Sequence, residues 1–464
     1  MRCNTPLASQ HLNAAFGAVD VNRQDRVAVV TLGCKINTLE SATMAQSLVD
    51  DHWQLVDSTE SADLYLINSC TVTAEADRQT RQAVRRVLRK NPNAKVVLTG
   101  CYAQNEPEEC AALPGVSIVL GNDQKSIIAP FVRGLKSNSN DPSPVYVDRL
   151  TGLPATLLRG FEGQTRAFVQ VQQGCDQGCT FCVIHRARGR SVSLNEDAIL
   201  NQVRTFLASG SSEIVVCGVD LGSYQYSSSD DEVDGLGLVS LLKKISRLPG
   251  KFRIRLSSID PAHLNDSLLD LMASDERFCP YLHVSVQSGS TLILKRMKRR
   301  YDRQWLLDRL FAARERLPGL VLGADIMAGF PTETEADFAQ SLSVIKDAEI
   351  IYPHVFPFSA RPGTPAAKIP RQVAIPERRR RAAEMRLAGQ TVRNRALEGM
   401  VGCKGQLLIE RPVVSDKSGA YHGRLENYMP VQVKRLKGSS GDIVPIQVDS
   451  VESDVLIAHM LGSE

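Results

Sequence analysis

The chain has 464 residues, 43% of them hydrophobic and 23% charged, with a formal net charge of +4. This is ordinary globular composition, long enough for two or three domains, and the small net charge announces no polyanion partner by itself. No run approaches the ~18 apolar residues of a membrane helix, and the N-terminus carries no secretory pattern. A reducing, cytoplasmic setting is expected. There, eleven cysteines favour metal chemistry over disulfides.

Residues 1–25 are polar and aperiodic and read as a disordered extension. A domain over 26–135 follows, in which one pattern repeats. Apolar runs over 26–34, 63–70 and 95–101 each end in a cysteine (Cys34, Cys70, Cys101), and segments with helical spacing follow over 38–51, 75–90 and 104–112. Strand–helix alternation predicts a doubly wound parallel sheet. A Ser/Asn/Pro-rich linker is expected over 136–160. A second alternating series occupies 161–395, with strands over 166–173, 213–219, 252–258, 281–287, 321–327 and 350–357. Helices are expected between them, over 195–209, 238–247, 264–273, 303–316 and 334–347. Six such strands suggest an open, partial β/α barrel. From 402 to 462 short strands (406–410, 430–434, 444–448) alternate with Gly, Ser and Asp turns, the pattern of a small β-barrel.

Cys175, Cys179 and Cys182 lie in Cys-Asp-Gln-Gly-Cys-Thr-Phe-Cys, directly after the first strand of the second series. Three soft thiolate ligands from one loop suit an iron–sulfur cube with one iron left open. A structural zinc site usually wants four ligands, and only His185 stands near as a fourth. In the first domain, Cys34, Cys70 and Cys101 would share the carboxyl edge of the sheet, where such folds bind ligands. From periodicity alone two readings stand: a second three-thiolate site, or three buried cysteines at strand ends. Cys3, Cys110, Cys217, Cys279 and Cys403 follow no pattern.

With Phe181 before its last cysteine, the first of these loops resembles the radical S-adenosylmethionine (SAM) signature, Cys-x3-Cys-x-aromatic-Cys. Thr-Leu-Gly-Cys34-Lys-Ile-Asn-Thr-Leu-Glu-Ser, Asn68-Ser-Cys70-Thr-Val-Thr and Gly100-Cys101-Tyr-Ala-Gln resemble the N-terminal domain of the methylthiotransferase family. The resemblance implies two [4Fe-4S] clusters, one on each cysteine triplet, and SAM bound near Phe181, Asp220, Ser257 and Gln287. For each of these polar groups a loop-capping hydrogen bond is the alternative. It also implies an electron donor such as a flavodoxin or ferredoxin, and a C-terminal TRAM module for RNA. Gly33-Cys34-Lys35-Ile36-Asn37, the segment 218–224 and the segment 294–300 resemble the branch acting on threonylcarbamoyladenosine in tRNA. Branches acting on isopentenyladenosine in tRNA or on a ribosomal-protein aspartate are the enzyme rivals. A non-catalytic zinc- or cluster-bearing RNA-binding protein is the rival of another class.

Basic residues cluster at Arg85, Arg86, Arg89 and Lys90, at Arg186, Arg188 and Arg190, and at Lys295, Arg296, Lys298, Arg299 and Arg300. Seven arginines and two glutamates fall between Pro376 and Arg395. Such groups bind phosphate backbones or form solvated faces, and a helix over 376–395 is expected to help hold tRNA. Tyr421 and Tyr428 are the candidate stacking aromatics of the tail.

Overall fold

The computed structural model describes residues 25–133, 135, 143–148, 150, 152, 157–160, 165–226, 237–413, 419–434 and 438–462. The expected N-terminal extension, except Asp25, lies outside the described residues, as do Cys3 and much of the expected linker.

The first domain is a six-stranded sheet of β1 (Arg26–Thr31), β2 (Gln54–Val56), β3 (Leu64–Ser69), β4 (Lys95–Gly100), β5 (Ile118–Leu120) and β6 (Val145–Tyr146). Its order is β2-β1-β3-β4-β5-β6, and every pairing is parallel. All six residues of β3 are buried, as a central strand covered on both faces requires. Apolar clusters on the two faces, around Tyr65 and Ile67 and around Leu64 and Leu66, fit that arrangement. Strand β6 is a correction. It lies in the stretch expected to be linker, yet Val145 and Tyr146 pair with Val119 and Leu120. Its two exposed residues carried too little pattern to reveal it.

The second domain is an open barrel. β7 (Arg166–Gln173), β8 (Val192–Ser193), β9 (Glu213–Gly218) and β10 (Arg253–Leu256) form one sheet in the order β10-β9-β7-β8. β11 (Ser258–Ile259), β12 (Tyr281–Gln287), β13 (Val321–Ala328) and β14 (Ile350–Pro357) form the next, in chain order. The run 252–258, expected as one strand, breaks at Ser257. β10 pairs with β9 on one side of the break and β11 with β12 on the other. The break hands the chain from one sheet to the next, with the Ser257 N–H still donating to the Val216 carbonyl of β9 (2.9 Å). Alternate residues of β12 and β13, such as Leu282, Val284, Leu322 and Ala324, join the core beneath the outer helices. Their neighbours, among them His283, Gln287, Gly323 and Asp325, take the opposite face of the pleat.

The helix Ile375–Glu398 lies against β14 and leads into a closed barrel of β15 (Lys404–Pro412), β16 (Tyr421–Arg424), β17 (Pro430–Val433), β18 (Ile443–Glu452) and β19 (Val455–Met460). This barrel docks at the starts of the central strands. Tyr281, Val321 and Ile351 share an apolar cluster with Leu407, Leu425 and Val431. Buried Glu213, at the start of β9, accepts from Arg253 (2.6 Å) and Arg255 (2.7 Å). The two guanidiniums then donate to the carbonyls of Gln406, Arg424 and Glu426. The joint between the two domains is therefore polar as well as apolar, and its charges are buried but paired.

Candidate active site

β1, β3 and β4 are adjacent, and Cys34, Cys70 and Cys101 follow their carboxyl ends. Gly100 sets the turn into Cys101. Its φ is +100°, and a Cβ there would lie 2.3 Å from the carbonyl oxygen of Ser69. Asn37 ties the loops together, donating from Nδ2 to the carbonyls of Leu32 (2.6 Å) and Ser69 (3.0 Å). Cys70 and Cys101 are buried, while Cys34 is exposed.

The loop after β7 carries Cys175, Cys179 and Cys182, at the carboxyl end of its strand as catalytic groups of β/α barrels are. The donors around it point at sulfur. The backbone N–H of Gln177 reaches Cys175 Sγ at 3.4 Å, and that of Ile184 reaches Cys182 Sγ at 3.4 Å. Arg299 Nη1 reaches Cys179 Sγ at 3.3 Å, its other nitrogen paired with Asp260. Burial pushes the Cys175 thiol up to about 12 and that of Cys182 to about 11. Burial, then the neighbouring Cys101, pushes Cys70 to about 12. Thiols in such surroundings ionise only against a strongly positive partner, which a metal cluster is. Among the described residues, no group of three or more Cys, His, Asp or Glu side chains is set to hold a single metal ion.

The polar residues expected near SAM sit at the same strand ends. Ser257 Oγ and Gln287 Oε1 are buried with no hydrogen-bond partner, and Gln287 has a φ of +63°. A buried polar atom without a partner is costly, and a bound polar ligand is one way to satisfy it. Asp220 accepts from Gln177 Nε2 (3.0 Å) and lies 3.5 Å from His263 and 3.8 Å from Cys175 Sγ. Phe181 is half-buried and packs against the cluster of Met297, Phe330 and Phe358. The residue set fits two thiolate-held clusters with a polar ligand beside one of them.

An arginine of the second domain reaches the first domain's triplet. Arg188 follows the Cys175–Cys182 loop and is 2% exposed. Its Nε donates to Cys101 Sγ at 3.3 Å, and its other nitrogens reach Glu40 and Asn37.

Comparison with known proteins points the same way. Residues 26–121 match the model of an uncharacterised protein family, UPF0004, and residues 169–345 match that of the radical SAM superfamily. Threonylcarbamoyladenosine tRNA methylthiotransferase MtaB of Rickettsia prowazekii is 36% identical over 88% of this chain and 92% of its own. The proteins of that name from Bacillus subtilis (33% identical; 91% and 93% covered) and Thermotoga maritima (34%; 92% and 98%) are similar to the same extent. This chain belongs to the radical SAM methylthiotransferase family. It is an enzyme, and the family brings SAM and a [4Fe-4S] cluster. The radical SAM methyltransferase TsrM of Kitasatospora setae, solved with cobalamin and a [4Fe-4S] cluster, shares the fold. Its TM-score is 0.52 at 14% identity, over 74% of this chain and 77% of that one.

Several cationic groups of this methylthiotransferase have other tasks than the sequence suggested. Arg188 is buried and Arg299 half-buried, each against cysteine sulfur. Arg381 is buried and pairs with Glu333 (2.8 Å) and Glu377 (2.7 Å). Arg380 binds Glu335, Glu377 and Glu384, and Arg378 donates to the carbonyls of Val373 and Phe358. The helix Ile375–Glu398 is thus clamped to its own domain by arginines expected to face RNA. Lys90 donates to carbonyls of Ser58 and Thr59, while Arg85, Arg86, Arg89 and Arg379 are exposed. Tyr428 is no open stacking platform. It packs against Tyr281 at 4.9 Å and carries the Arg424 guanidinium at 4.2 Å. No helix among the described residues is long and apolar enough to cross a membrane.

Proposed function

We propose that the enzyme methylthiolates C2 of N6-threonylcarbamoyladenosine at position 37 of tRNA, using two [4Fe-4S] clusters and two molecules of SAM. The observation that carries this reading is the meeting of two cysteine triplets, each following the carboxyl ends of strands in its own domain, through the contact of Arg188 with Cys101. Cys175, Cys179 and Cys182 would hold the SAM-cleaving cluster. Cys34, Cys70 and Cys101 would hold the second, where the transferred sulfur is methylated.

When bound, the first cluster and SAM supply radical chemistry, which an unactivated C–H bond needs because it offers no acidic proton to a base. The protein's part is placement. Ser257 and Gln287, with buried polar atoms that have no protein partner, would contact SAM, and Asp220 holds Gln177. The names of the relatives support tRNA and this nucleoside as substrate. A flavodoxin- or ferredoxin-type protein would deliver the electrons, and the setting would be the cytoplasm.

The test is nucleoside mass spectrometry of tRNA from a strain lacking the gene, paired with the reconstituted enzyme, SAM and reductant. The methylthio form should vanish in the strain and appear in vitro on threonylcarbamoyladenosine. Modification of a ribosomal-protein aspartate or of isopentenyladenosine instead would overturn the substrate assignment.

A further inference from the structure

We propose that Arg188, contributed by the radical SAM domain, sets the reduction potential of the cluster held by Cys34, Cys70 and Cys101, and holds it above that of the other cluster. The inference rests on the two-cluster reading given above.

The geometry is specific. Four donor contacts of Arg188 cross the domain joint: Nε to Cys101 Sγ, Nη1 to Glu40, and Nη2 to both Asn37 Oδ1 and Glu40 Oε2 (3.1 Å). A fifth, weaker contact runs from Nη1 to Gln173 Oε1 at 3.4 Å. Lys125 Nζ, itself 4% exposed, takes the second side of Glu40 at 2.5 Å. The formal charge of this buried group is two cations against one carboxylate. One positive charge is left over beside Cys101.

The other triplet is arranged with a neutral balance. Arg299 donates to Cys179 Sγ but is cancelled by Asp260. Asp220, 3.8 Å from Cys175, adds a carboxylate, with His263 and then Arg300 behind it. A hydrogen bond to a ligand sulfur and a nearby positive charge both favour the reduced, more negative form of a cluster. Each triplet therefore has one arginine on one sulfur, but only the N-terminal one has a surplus of positive charge. The consequence is an ordering. The N-terminal cluster is the easier to reduce, and the SAM-side cluster stays the stronger reductant.

The test uses the full chain with Cys175, Cys179 and Cys182 replaced by alanine, so that only the N-terminal cluster is present. Its midpoint potential is followed by EPR during a redox titration. Arg188→Gln should lower the oxidised-to-reduced balance point by about tenfold, which is ~59 mV for one electron. Glu40→Gln removes the compensating carboxylate and should move it the other way. Arg188→Lys, keeping charge but losing the fork, should fall between wild type and Arg188→Gln. A purely structural role would not give shifts of opposite sign. Potentials that stay put, or move together, in variants with full iron and wild-type circular dichroism would overturn the assignment. A triple-alanine protein with no iron would overturn the two-cluster reading and this inference with it.

Discussion

At the scale of single residues, the site is built from side chains that would be unfavourable where they stand without their partners. The six cysteines of the two triplets are the clearest case. If each triplet binds its own cluster, replacing Cys175, Cys179 and Cys182 by alanine should leave about half of the iron. Iron and sulfide analysis decides it, and loss of all iron would refute two independent sites. Glu213 is the structural counterpart. Burial alone would raise its carboxyl, but Arg255 and Arg253 override this and hold it at about 2, against 4.5 for the free side chain. A carboxyl depressed on folding stabilises the fold above its unfolded value. That gain, on the order of 3 kcal/mol, is complete above pH 4.5 and is lost as pH falls toward 2. Glu213→Gln leaves two buried guanidiniums without their anion and should cost about 3–5 kcal/mol at pH 7. Urea melts at pH 7 and pH 3.5 should show the gap narrowing in acid. A gap that does not change with pH would count against this account.

At the scale of elements, most strands and helices were legible because their periodicity is strong. The helix Arg303–Arg316 was expected over that very range, and the helix Ala74–Lys90 was expected to within a residue. The cysteine at each strand end was legible too, since a β-branched run stopping at Cys is a local pattern. What could not be read were contacts between distant segments. Arg188 and Cys101 are 87 positions apart, and no spacing rule joins them. The charge-dense helix Ile375–Glu398 misled for the same reason, because its ion-pair partner Glu333 lies on another loop. Arg381→Ala should therefore destabilise by about 3–5 kcal/mol, rather than alter RNA binding. Any phosphate contact belongs instead to exposed groups. Replacing Arg85, Arg86 and Arg89 should flatten the salt dependence of tRNA affinity by roughly 2–3 in log–log slope if all three meet phosphates. Gly389, in the same helix, gives a packing test. Alanine should gain about 1 kcal/mol of helix propensity, but its Cβ would lie 2.1 Å from Pro353 Cγ on β14. A rigid ring cannot yield, so overpacking of about 1–3 kcal/mol should win and the melting temperature should fall. A rise would show that the helix can slide outward freely.

At the scale of the whole molecule, the C-terminal barrel and the Cys175–Cys182 loop occupy opposite ends of the radical SAM domain's strands: Arg166 opens β7 against Tyr428 and Glu410, and Cys175 follows its end. Tyr281 opens β12 beneath the barrel, and Gln287 closes it at the carboxyl end, the end at which the Cys175–Cys182 loop follows β7. Seven residues of strand separate the two levels by about 20 Å. We propose, from the resemblance of the tail to an RNA-binding module, that the barrel grips RNA; the grip and the groups that alter the RNA would then be a fixed span apart, and the enzyme would act as a gauge of its substrate's length. An anticodon hairpin cut to a few base pairs would reach the chemistry but leave the far grip empty. Such fragments should be modified at close to the full-length maximal rate but need far higher concentrations, with the loss in kcat/KM setting in abruptly once the stem no longer bridges the span.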